Sequence, residues 1–294
     1  MFDSWLTGYY DDVLAPLDDA CRRGEPLDLG KLRDLDDDAW TLLATKEYSA
    51  YPHLRAALPD LPDDATQETW NGRSGFHLAV QSAGFLKTLK RLYARHGSRP
   101  LADSTVLDFG CGWGRLTRLV ARDVAPGGLC GCDPYPGILD VCERMRVPAR
   151  LAPIAYVPTA LPFNDRFDLV YAFSVFTHLS EETHLACLRA IHAGLAEEGL
   201  LIVTIRPPAY AREGMPRSLS RRLAARRLEH GKPGYLFAAH DDQPAGDRKT
   251  YGETVVNLPY VRERWGEWFE LLDVSLMLDD VHQVVLTLRR CPAQ

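Results

Sequence analysis

The chain has 294 residues, of which 46% are hydrophobic and 25% charged, and its formal net charge is −6. This composition is ordinary for a globular protein, and the acidic excess argues against nucleic acid as the main partner. No stretch reaches the roughly 18 uninterrupted apolar residues of a membrane helix, and the N-terminus lacks the pattern of a secretory signal. We therefore expect a cytoplasmic protein with reduced cysteines, no membrane partner, and a monomeric or homodimeric state.

Residues 1–98 are predicted to form an N-terminal helical cap. Residues 1–66 are acidic, with apolar side chains at helical spacing at Leu6, Tyr9, Tyr10, Val13, Leu14 and Leu17. The acidic side chains form either a solvated face over a packing stripe or part of a cap that closes over a substrate. Residues 70–75 predict a turn, and residues 76–96 a long helix that ends at Gly97.

From residue 104 onward strands and helices alternate, which predicts a parallel sheet with helices on both faces. The predicted strands are residues 105–109, 128–132, 150–157, 167–173 and 200–205, and the helices between them are 114–123, 136–146 and 181–195, the last closed by Gly199. Residues 206–256 are polar and predict a lid insertion after strand five. A helix at 258–269 and a hairpin at 271–278 and 282–289 follow. The expected core, residues 99–294, is an α/β Rossmann-like, seven-stranded, doubly wound sheet with an antiparallel last strand.

Three glycines alternate directly after the first predicted strand, at Gly110, Gly112 and Gly114. Glycine adopts positive φ without steric cost, and free N–H groups at a helix N-terminus attract an anion. Asp133 ends the second strand about twenty residues later, where a carboxylate accepts hydrogen bonds from ribose hydroxyls. Dinucleotides and S-adenosylmethionine both fit this arrangement.

Two residues discriminate between these ligands. The dinucleotide fingerprint requires its third glycine at position 115, which is Arg115 in this chain. Asp108 also places a negative charge near the position of a pyrophosphate, and a carboxylate there suits the cationic groups of S-adenosylmethionine better. The sequence therefore favours S-adenosylmethionine over a nicotinamide dinucleotide.

Residues 106–117, Asp133 and residues 167–179 resemble class I S-adenosylmethionine-dependent methyltransferases. The resemblance extends to bacterial small-molecule methyltransferases through Trp70, Gly72 and Gly75, through Tyr251–Thr254, and through His282–Arg289. It covers roughly residues 67–294. It implies methyl transfer from S-adenosyl-L-methionine and, as cofactor-binding residues, Trp70, Asp108, Phe109, Gly110, Cys111, Gly112, Gly114, Arg115, Asp133, Pro134, Tyr135, Phe173 and Ser174.

The sulfonium is already an activated methyl donor, so the main task is to align the acceptor with it. A base is needed only where the acceptor must lose a proton. His178, just past strand four, is the first candidate base or else a structural histidine, and His240, Asp241 and Tyr251 are further catalytic candidates. No set of side chains has convincing metal-ligand spacing, so no metal is expected.

The acceptor is the least defined part of the prediction. A basic helix over residues 217–230 is either a solvated helix, a lid that recognises a carboxylate or phosphate, or a nucleic-acid surface. We expect methyl transfer to oxygen or nitrogen of a small molecule, namely a sugar, a glycan precursor or a specialised metabolite. The alternatives are a non-catalytic partner subunit that binds S-adenosylmethionine and an NAD(P)-dependent oxidoreductase.

Overall fold

The computed structural model describes residues 2–215, 228, 231–240 and 250–292. Its strands are β1 (Val106–Phe109), β2 (Leu129–Asp133), β3 (Arg150–Pro153), β4 (Phe167–Ala172), β5 (Leu195–Ile205), β6 (Tyr235–Ala239), β7 (Gly252–Val256), β8 (Phe269–Leu276) and β9 (Val284–Arg290). Seven of them form one sheet in the order β3-β2-β1-β4-β5-β9-β8, and β6 and β7 form a separate hairpin. Strands β1 to β5 pair in parallel, whereas β9 is antiparallel to both neighbours. The predicted seven-stranded sheet with an antiparallel last strand is confirmed.

The helices precede, connect and cover these strands. They are α1 (Asp3–Leu6), α2 (Asp11–Arg22), α3 (Asp37–Ala44), α4 (Pro52–Ala57), α5 (Asp64–Asn71), α6 (Gly75–His96), α7 (Thr117–Val120), α8 (Pro136–Arg144), α9 (Glu181–Gly194), α10 (Tyr210–Glu213) and α11 (Leu258–Tyr260). A π-helical turn, Val261–Trp265, follows α11. None of the helices in the described ranges is long and apolar enough to cross a membrane.

Some element boundaries differ from the sequence prediction. Gly199 does not close a helix but lies inside β5, where the β4–β5 register is irregular. A Cβ there would lie 2.8 Å from the carbonyl oxygen of Phe167, so the close strand contact requires glycine. The helix expected over 258–269 ends at Trp265, as α11 followed by the π-helical turn, because Phe269 is already the first residue of β8. Trp70, expected in a turn, belongs to α5.

One face of the sheet shares a continuous hydrophobic core with the N-terminal helices. Leu14, Trp40 and Leu43 pack in the same cluster as Leu169 and Leu200 of the sheet. The helix α6 contributes Phe85, Leu86, Leu89 and Leu92, whereas Phe76 and Val80 of its predicted stripe are 45% and 40% exposed. The boundary at residue 98 between cap and core stays a prediction.

Two buried arginines from the α7 region tie the N-terminal helices to the sheet. Nη1 of Arg122 donates to the carbonyl oxygens of Leu32 and Leu35 at 3.0 and 2.8 Å, and its other terminal nitrogen pairs with Asp37. Arg118 donates to the carbonyl oxygen of Asp60. These contacts join both guanidinium groups to the backbone of the N-terminal region.

The opposite face of the sheet carries α9 and the π-helical turn. The hairpin β6–β7 follows β5 in the chain and contributes to a small separate cluster with Tyr210, Met215, Leu236, Ala238 and Val255. Within the predicted lid, the basic helix over 217–230 lies outside the described residues apart from Leu228.

Candidate active site

The glycine loop lies at the carboxyl end of β1. Gly110, Gly112 and Gly114 have φ values of +76°, +53° and +77°. A Cβ on Gly110 would lie 2.4 Å from Cγ2 of Val175, and one on Gly114 would lie 2.7 Å from Cγ2 of Val147. Around Gly112, no heavy atom of the described residues comes within 4 Å of such a Cβ. Two glycines therefore allow close packing, and Gly112 faces space that a ligand can enter.

Asp133 joins this loop to the end of β2. Its carboxylate accepts hydrogen bonds from the backbone N–H groups of Gly112 and Tyr135, both at 3.0 Å. Burial raises the pKa of Asp133 to about 6, and the two N–H donors oppose that rise. The carboxylate is therefore fixed beside the open side of the loop.

Asp108 lies deeper, inside β1. It is 3% exposed and accepts a hydrogen bond of 2.6 Å from Oγ1 of Thr117. Burial raises its pKa to about 6, against the opposing effects of Thr117 and Arg115. The side chains of Phe109 and Cys111 are also buried, and the N–H group of Cys111 donates to the carbonyl oxygen of Cys132 at 3.0 Å.

Arg115 points from the loop towards α6. Its Nη1 donates to Oε1 of Gln81 and Oγ of Ser82, both at 2.9 Å, and its guanidinium carbon lies 4.9 Å from the ring centroid of Phe173. It lines a cavity shared by the start of α6 and Trp113. A guanidinium has five N–H donors, and both of these hydrogen bonds use Nη1, so donors remain for an anionic ligand.

Trp70 meets Tyr135 at the mouth of the loop. Their ring centroids are 5.6 Å apart, and the residues are 38% and 37% exposed. Pro134 lies between Asp133 and Tyr135 in the same turn. The structure thus brings Trp70 of α5 next to Tyr135 in the turn after β2, and both are predicted cofactor-binding residues.

Ser174 follows β4 and has a left-handed backbone with φ of +61°. Its N–H donates to Oγ1 of Thr204 at 2.7 Å, and its Oγ accepts from Nε2 of Gln283 at 3.2 Å. Oε1 of Gln283 is buried and has no hydrogen-bond partner among the described residues. A strained non-glycine residue beside an unsatisfied polar atom is typical of a ligand site.

A polar cluster, here called the Glu253 cluster, lies beyond the carboxyl ends of β4 and β5. Glu253 accepts hydrogen bonds from the Tyr210 hydroxyl at 2.9 Å and from Nε2 of His240 at 3.0 Å, and it pairs with Arg206. The cluster consists of His178, Arg206, Tyr210, His240, Tyr251 and Glu253. All three predicted catalytic residues, His178, His240 and Tyr251, are in it.

His178 is held on both ring nitrogens. Nδ1 donates to the carbonyl oxygen of Gly252 at 2.7 Å, and Nη2 of Arg206 donates to Nε2 at 3.4 Å. The ring stacks on Tyr251 with centroids 5.0 Å apart and planes 8° from parallel. Burial, followed by the charge of Arg206, lowers the pKa of His178 to about 3. The structure therefore keeps this imidazole neutral at physiological pH.

His178, His240 and Glu253 place potential metal-ligand atoms within 4.8 Å of one another, a set that the sequence did not indicate. Two imidazoles and a carboxylate suit zinc or iron. However, Arg206 already pairs with this carboxylate. A divalent ion about 4 Å from a guanidinium is repelled by roughly 8 kcal/mol at an effective dielectric constant of about 20. Arg206 is therefore the positive charge that neutralises Glu253, and it disfavours a metal ion at this position.

Sequence reasoning missed Glu253 and Gln283 as site residues. The available signal was a charged residue in the strand β7, whose residues are all buried. Gln283 offered a weaker signal, a polar residue directly before the apolar strand β9. The further candidate Asp241 lies outside the described residues.

Comparison with known proteins identifies the central segment. Residues 106–199 match a family model described as a methyltransferase domain. The chain is 32% identical over 122 residues to the ubiquinone biosynthesis O-methyltransferase of Methylobacterium sp. (strain 4-46). That alignment covers 39% of this chain and 48% of the relative, so it spans less than half of the relative's length.

Solved structures agree on the fold. A magnesium protoporphyrin IX methyltransferase from Synechocystis PCC 6803 superposes with a TM-score of 0.50 at 14% identity, covering 75% of this chain and 90% of that one. An S-adenosylmethionine-dependent methyltransferase from Clostridium acetobutylicum ATCC 824 gives a TM-score of 0.51 at 14% identity, covering 77% and 96%. The predicted resemblance is confirmed: the chain has the class I S-adenosylmethionine-dependent methyltransferase fold, and its residues 106–199 match a methyltransferase domain.

Proposed function

We propose that the protein transfers a methyl group from S-adenosylmethionine to oxygen or nitrogen of a small molecule in the cytoplasm. The observation that carries the proposal is the Asp133 carboxylate, fixed by the N–H groups of Gly112 and Tyr135 beside the open face of Gly112. A carboxylate at this position accepts hydrogen bonds from two ribose hydroxyls. The methyltransferase domain match supports S-adenosylmethionine as the nucleoside.

The remaining predicted residues fit other parts of that cofactor. Arg115 suits the methionine carboxylate, since its guanidinium offers N–H donors to an anion, whereas the N–H groups of Gly110, Cys111, Gly112 and Gly114 already donate within the protein. Trp70 and Tyr135 offer two half-exposed aromatic faces for adenine, next to Asp133. We assign the acceptor to the space between Ser174 and the Glu253 cluster, because both lie past the carboxyl ends of the central strands.

The chemistry requires alignment more than activation. The acceptor atom attacks the methyl carbon, the bond between carbon and sulfur breaks, and its electron pair returns to sulfur. Holding the reactants in line supplies most of the rate increase in such a step. The polar side chains around Ser174 and Glu253 suit a hydroxyl or amino acceptor, and the relative is named an O-methyltransferase. A sugar, a glycan precursor and a specialised metabolite all carry such groups.

Calorimetric titration of the full chain with S-adenosylhomocysteine tests cofactor binding. We expect micromolar or tighter affinity in the wild type and its loss in Gly112→Val. The control is Gly127→Val, because Gly127 has φ of +82° and its Cβ position is equally clear of described atoms. Absence of wild-type binding, or equal loss in both variants, contradicts the proposal. Binding of NAD instead would favour an oxidoreductase.

Methyl transfer is then tested with radiolabelled S-adenosylmethionine and three probes: catechol, methyl glucoside and phenethylamine. They represent a phenol, a sugar hydroxyl and a primary amine. We expect one probe to gain a methyl group in the presence of the wild type and none with Gly112→Val. Binding of S-adenosylhomocysteine without transfer to any probe would favour a non-catalytic partner subunit.

A further inference from the structure

The strand β8 is the outermost strand of the seven-stranded sheet, at the end opposite β3. It pairs with β9 on one side, and no strand in the described part of the chain pairs with its other side. A free strand edge presents a row of backbone N–H and C=O groups that can pair with another strand. The outer side of β8 is therefore able to extend the sheet into a second chain.

Alternate residues from 273 to 277, at the end of β8 and just after it, face the helix α6. Nη1 of Arg95 pairs with Oδ2 of Asp273 at 3.1 Å, and Nη2 of Arg91 donates to Oγ of Ser275 at 3.0 Å. Met277 is 3% exposed and packs in the core cluster that includes α6. Both arginines are exposed. This face of the sheet edge therefore carries one carboxylate and two guanidinium groups at the surface.

The opposite face of the same segment is apolar and open. Val274, Leu276 and Leu278 are 41%, 75% and 90% exposed, and together they are here called the apolar strip. Their neighbours on β9 are Leu286 beside Val274 and Val284 beside Leu276, and both are buried. Single exposed apolar side chains are common, but three in succession beside a free strand edge are typical of an interaction surface.

We propose that two copies of this chain associate through β8, with the two strands antiparallel about a two-fold axis at Ser275. A two-fold axis brings the same surface of both copies together, and the register of a strand pair follows its apolar residues. Val274 of each copy then lies opposite Leu276 of the other, and the two free edges exchange backbone hydrogen bonds. Each copy covers the apolar strip of the other, and the two sheets become one.

The charges on the α6 face suit the same register. Ser275 of one copy faces Ser275 of the other, so Asp273 of the second copy is a diagonal neighbour, within reach of a long side chain. Arg91, which is bonded to the Ser275 hydroxyl, therefore lies next to that Asp273. The axis repeats this contact with the copies exchanged. A second copy suits the free edge, the apolar strip and the charges together, whereas an unrelated apolar partner suits only the strip.

The size of the contact predicts a weak dimer. The strand β8 has eight residues, which at roughly 3.4 Å per residue gives a length of about 27 Å. One strand pair of this length with its apolar strip covers less than the roughly 800 Å² that each partner contributes to a standard interface. We therefore expect a dissociation constant in the micromolar range and a dimer fraction that increases with protein concentration.

Sedimentation velocity of the full chain from about 1 to 500 µM tests the association. We expect Leu276→Lys to weaken it by at least tenfold, because the substitution places an ammonium group against apolar side chains in the contact. Tyr9→Lys is the matched control, since Tyr9 is 79% exposed in the N-terminal region, and it should associate like the wild type. A wild type that stays monomeric at the highest concentration, or an equal effect of both variants, overturns the proposal.

Disulfide formation tests the position of the axis. In a strand pair, residues that face each other have Cα atoms about 4.5–5.5 Å apart, which a disulfide can bridge. We expect Ser275→Cys to give covalent dimers with oxidised glutathione, seen by gel electrophoresis without reductant, above the background of the wild type with its own free cysteines. Leu278→Cys is the control, because the two copies of residue 278 are about 20 Å apart in this register. No covalent dimer in Ser275→Cys, or equal yields in both variants, overturns the proposal. Neither experiment depends on methyl transfer, so the proposed function and this dimer fail separately.

Discussion

The two regions that flank the methyltransferase domain are attached to it in different ways. The N-terminal helices share one continuous apolar core with the sheet, and buried Arg118 and Arg122 cap their backbone carbonyls. The hairpin β6–β7 packs Leu236, Ala238 and Val255 in a small cluster of its own, and it meets the domain through Val256 in the second core of the sheet and through the Glu253 cluster. The N-terminal helices therefore form a rigidly packed side of the protein, here called the N-terminal wall. The hairpin brings ionisable groups to the proposed acceptor site.

The acidic character of the N-terminal region has a partly structural explanation. Asp37 pairs with both Arg122 and Lys90, and Asp36 caps α3 by accepting from two backbone N–H groups. These contacts favour the packing interpretation of the acidic face. Closure of the same region over a substrate stays a prediction.

The largest expected effect is on the N-terminal wall. Trp40 is fully buried, and its Nε1 donates to the carbonyl oxygen of Leu119 at 2.9 Å. Trp40→Ala leaves a cavity and an unsatisfied carbonyl, so we expect a loss of about 3–5 kcal/mol in the free energy of unfolding. Denaturant unfolding monitored by circular dichroism measures it.

The matched control is Trp5→Ala, because Trp5 is 69% exposed. We expect that variant to stay within about 0.5 kcal/mol of the wild type. Comparable stability of the two variants would mean that the N-terminal helices are not part of the same cooperative unit, and the contrast between the flanking regions would be lost.

The next effect concerns Arg115, where the N-terminal wall meets the cofactor site. Burial lowers the pKa of Arg115 to about 10, so it stays charged at neutral pH. Arg115→Met removes the proposed donor to the methionine carboxylate, and a charge-assisted hydrogen bond contributes about 1.5–3 kcal/mol. We therefore expect calorimetry to show affinity for S-adenosylhomocysteine weakened by roughly 10- to 100-fold.

The ligand itself provides the control for this variant. Methylthioadenosine lacks the amino-acid carboxylate, so its affinity should be nearly the same in the wild type and in Arg115→Met. An equal loss for both ligands would show that Arg115 acts through the fold of the loop and not through the carboxylate.

A smaller effect follows from Asp133. Its pKa in the folded chain is raised to about 6, so it is largely protonated at pH 5 and ionised at pH 7.5. Ribose hydroxyls donate to the ionised form, so we expect affinity for S-adenosylhomocysteine to increase by about tenfold over this interval. Isothermal titrations at a series of pH values measure the change.

The stability of the ligand-free protein should change in the opposite direction. A carboxyl whose folded pKa lies above its unfolded value of 3.8 stabilises the fold at low pH, and this contribution is lost as pH rises through about 6. Asp133→Asn should remove the contribution of Asp133 to the pH dependence of affinity and to the pH dependence of stability. The pKa of Asp108 is also raised to about 6, so part of the pH dependence remains in that variant. If affinity and stability depend on pH in Asp133→Asn as they do in the wild type, Asp133 is not the source of these pH dependences.

The sheet and the cofactor side were predictable because their determinants are local in the sequence. Apolar runs with helices between them specify parallel strands, and the three glycines mark the loop after β1. The helix predicted at 258–269 was too long, because apolar spacing alone does not distinguish a continuing helix from a helix and π-helical turn that end at Trp265 before a strand. Tertiary burial of Trp265 and Phe269 decides between them.

The acceptor side was less predictable because its contacts join distant segments. His178 meets Gly252 across 74 positions, and Gln283 meets Ser174 across 109. His178 was identified as a polar residue just past strand four, and His240 and Tyr251 as candidates within the lid insertion, but the carboxylate beside the two histidines, Glu253, depends on hairpin register. Pairing register between strands is set by the assembled fold, and no local pattern in residues 235–256 encodes the contact.

The smallest effect on global stability should come from the hairpin. Leu236 packs in the small cluster with Tyr210 and Val255 and not in the core of the sheet. Leu236→Ala should therefore speed amide exchange in β6 and β7 while leaving the global free energy of unfolding within about 0.5 kcal/mol, because weakly packed units open before the core does. Hydrogen exchange measured by mass spectrometry separates local opening of the hairpin from global unfolding. If the variant instead unfolds the sheet together with the hairpin, the region that carries Glu253 is as firmly built into the domain as the N-terminal helices, and the acceptor site has two rigid walls.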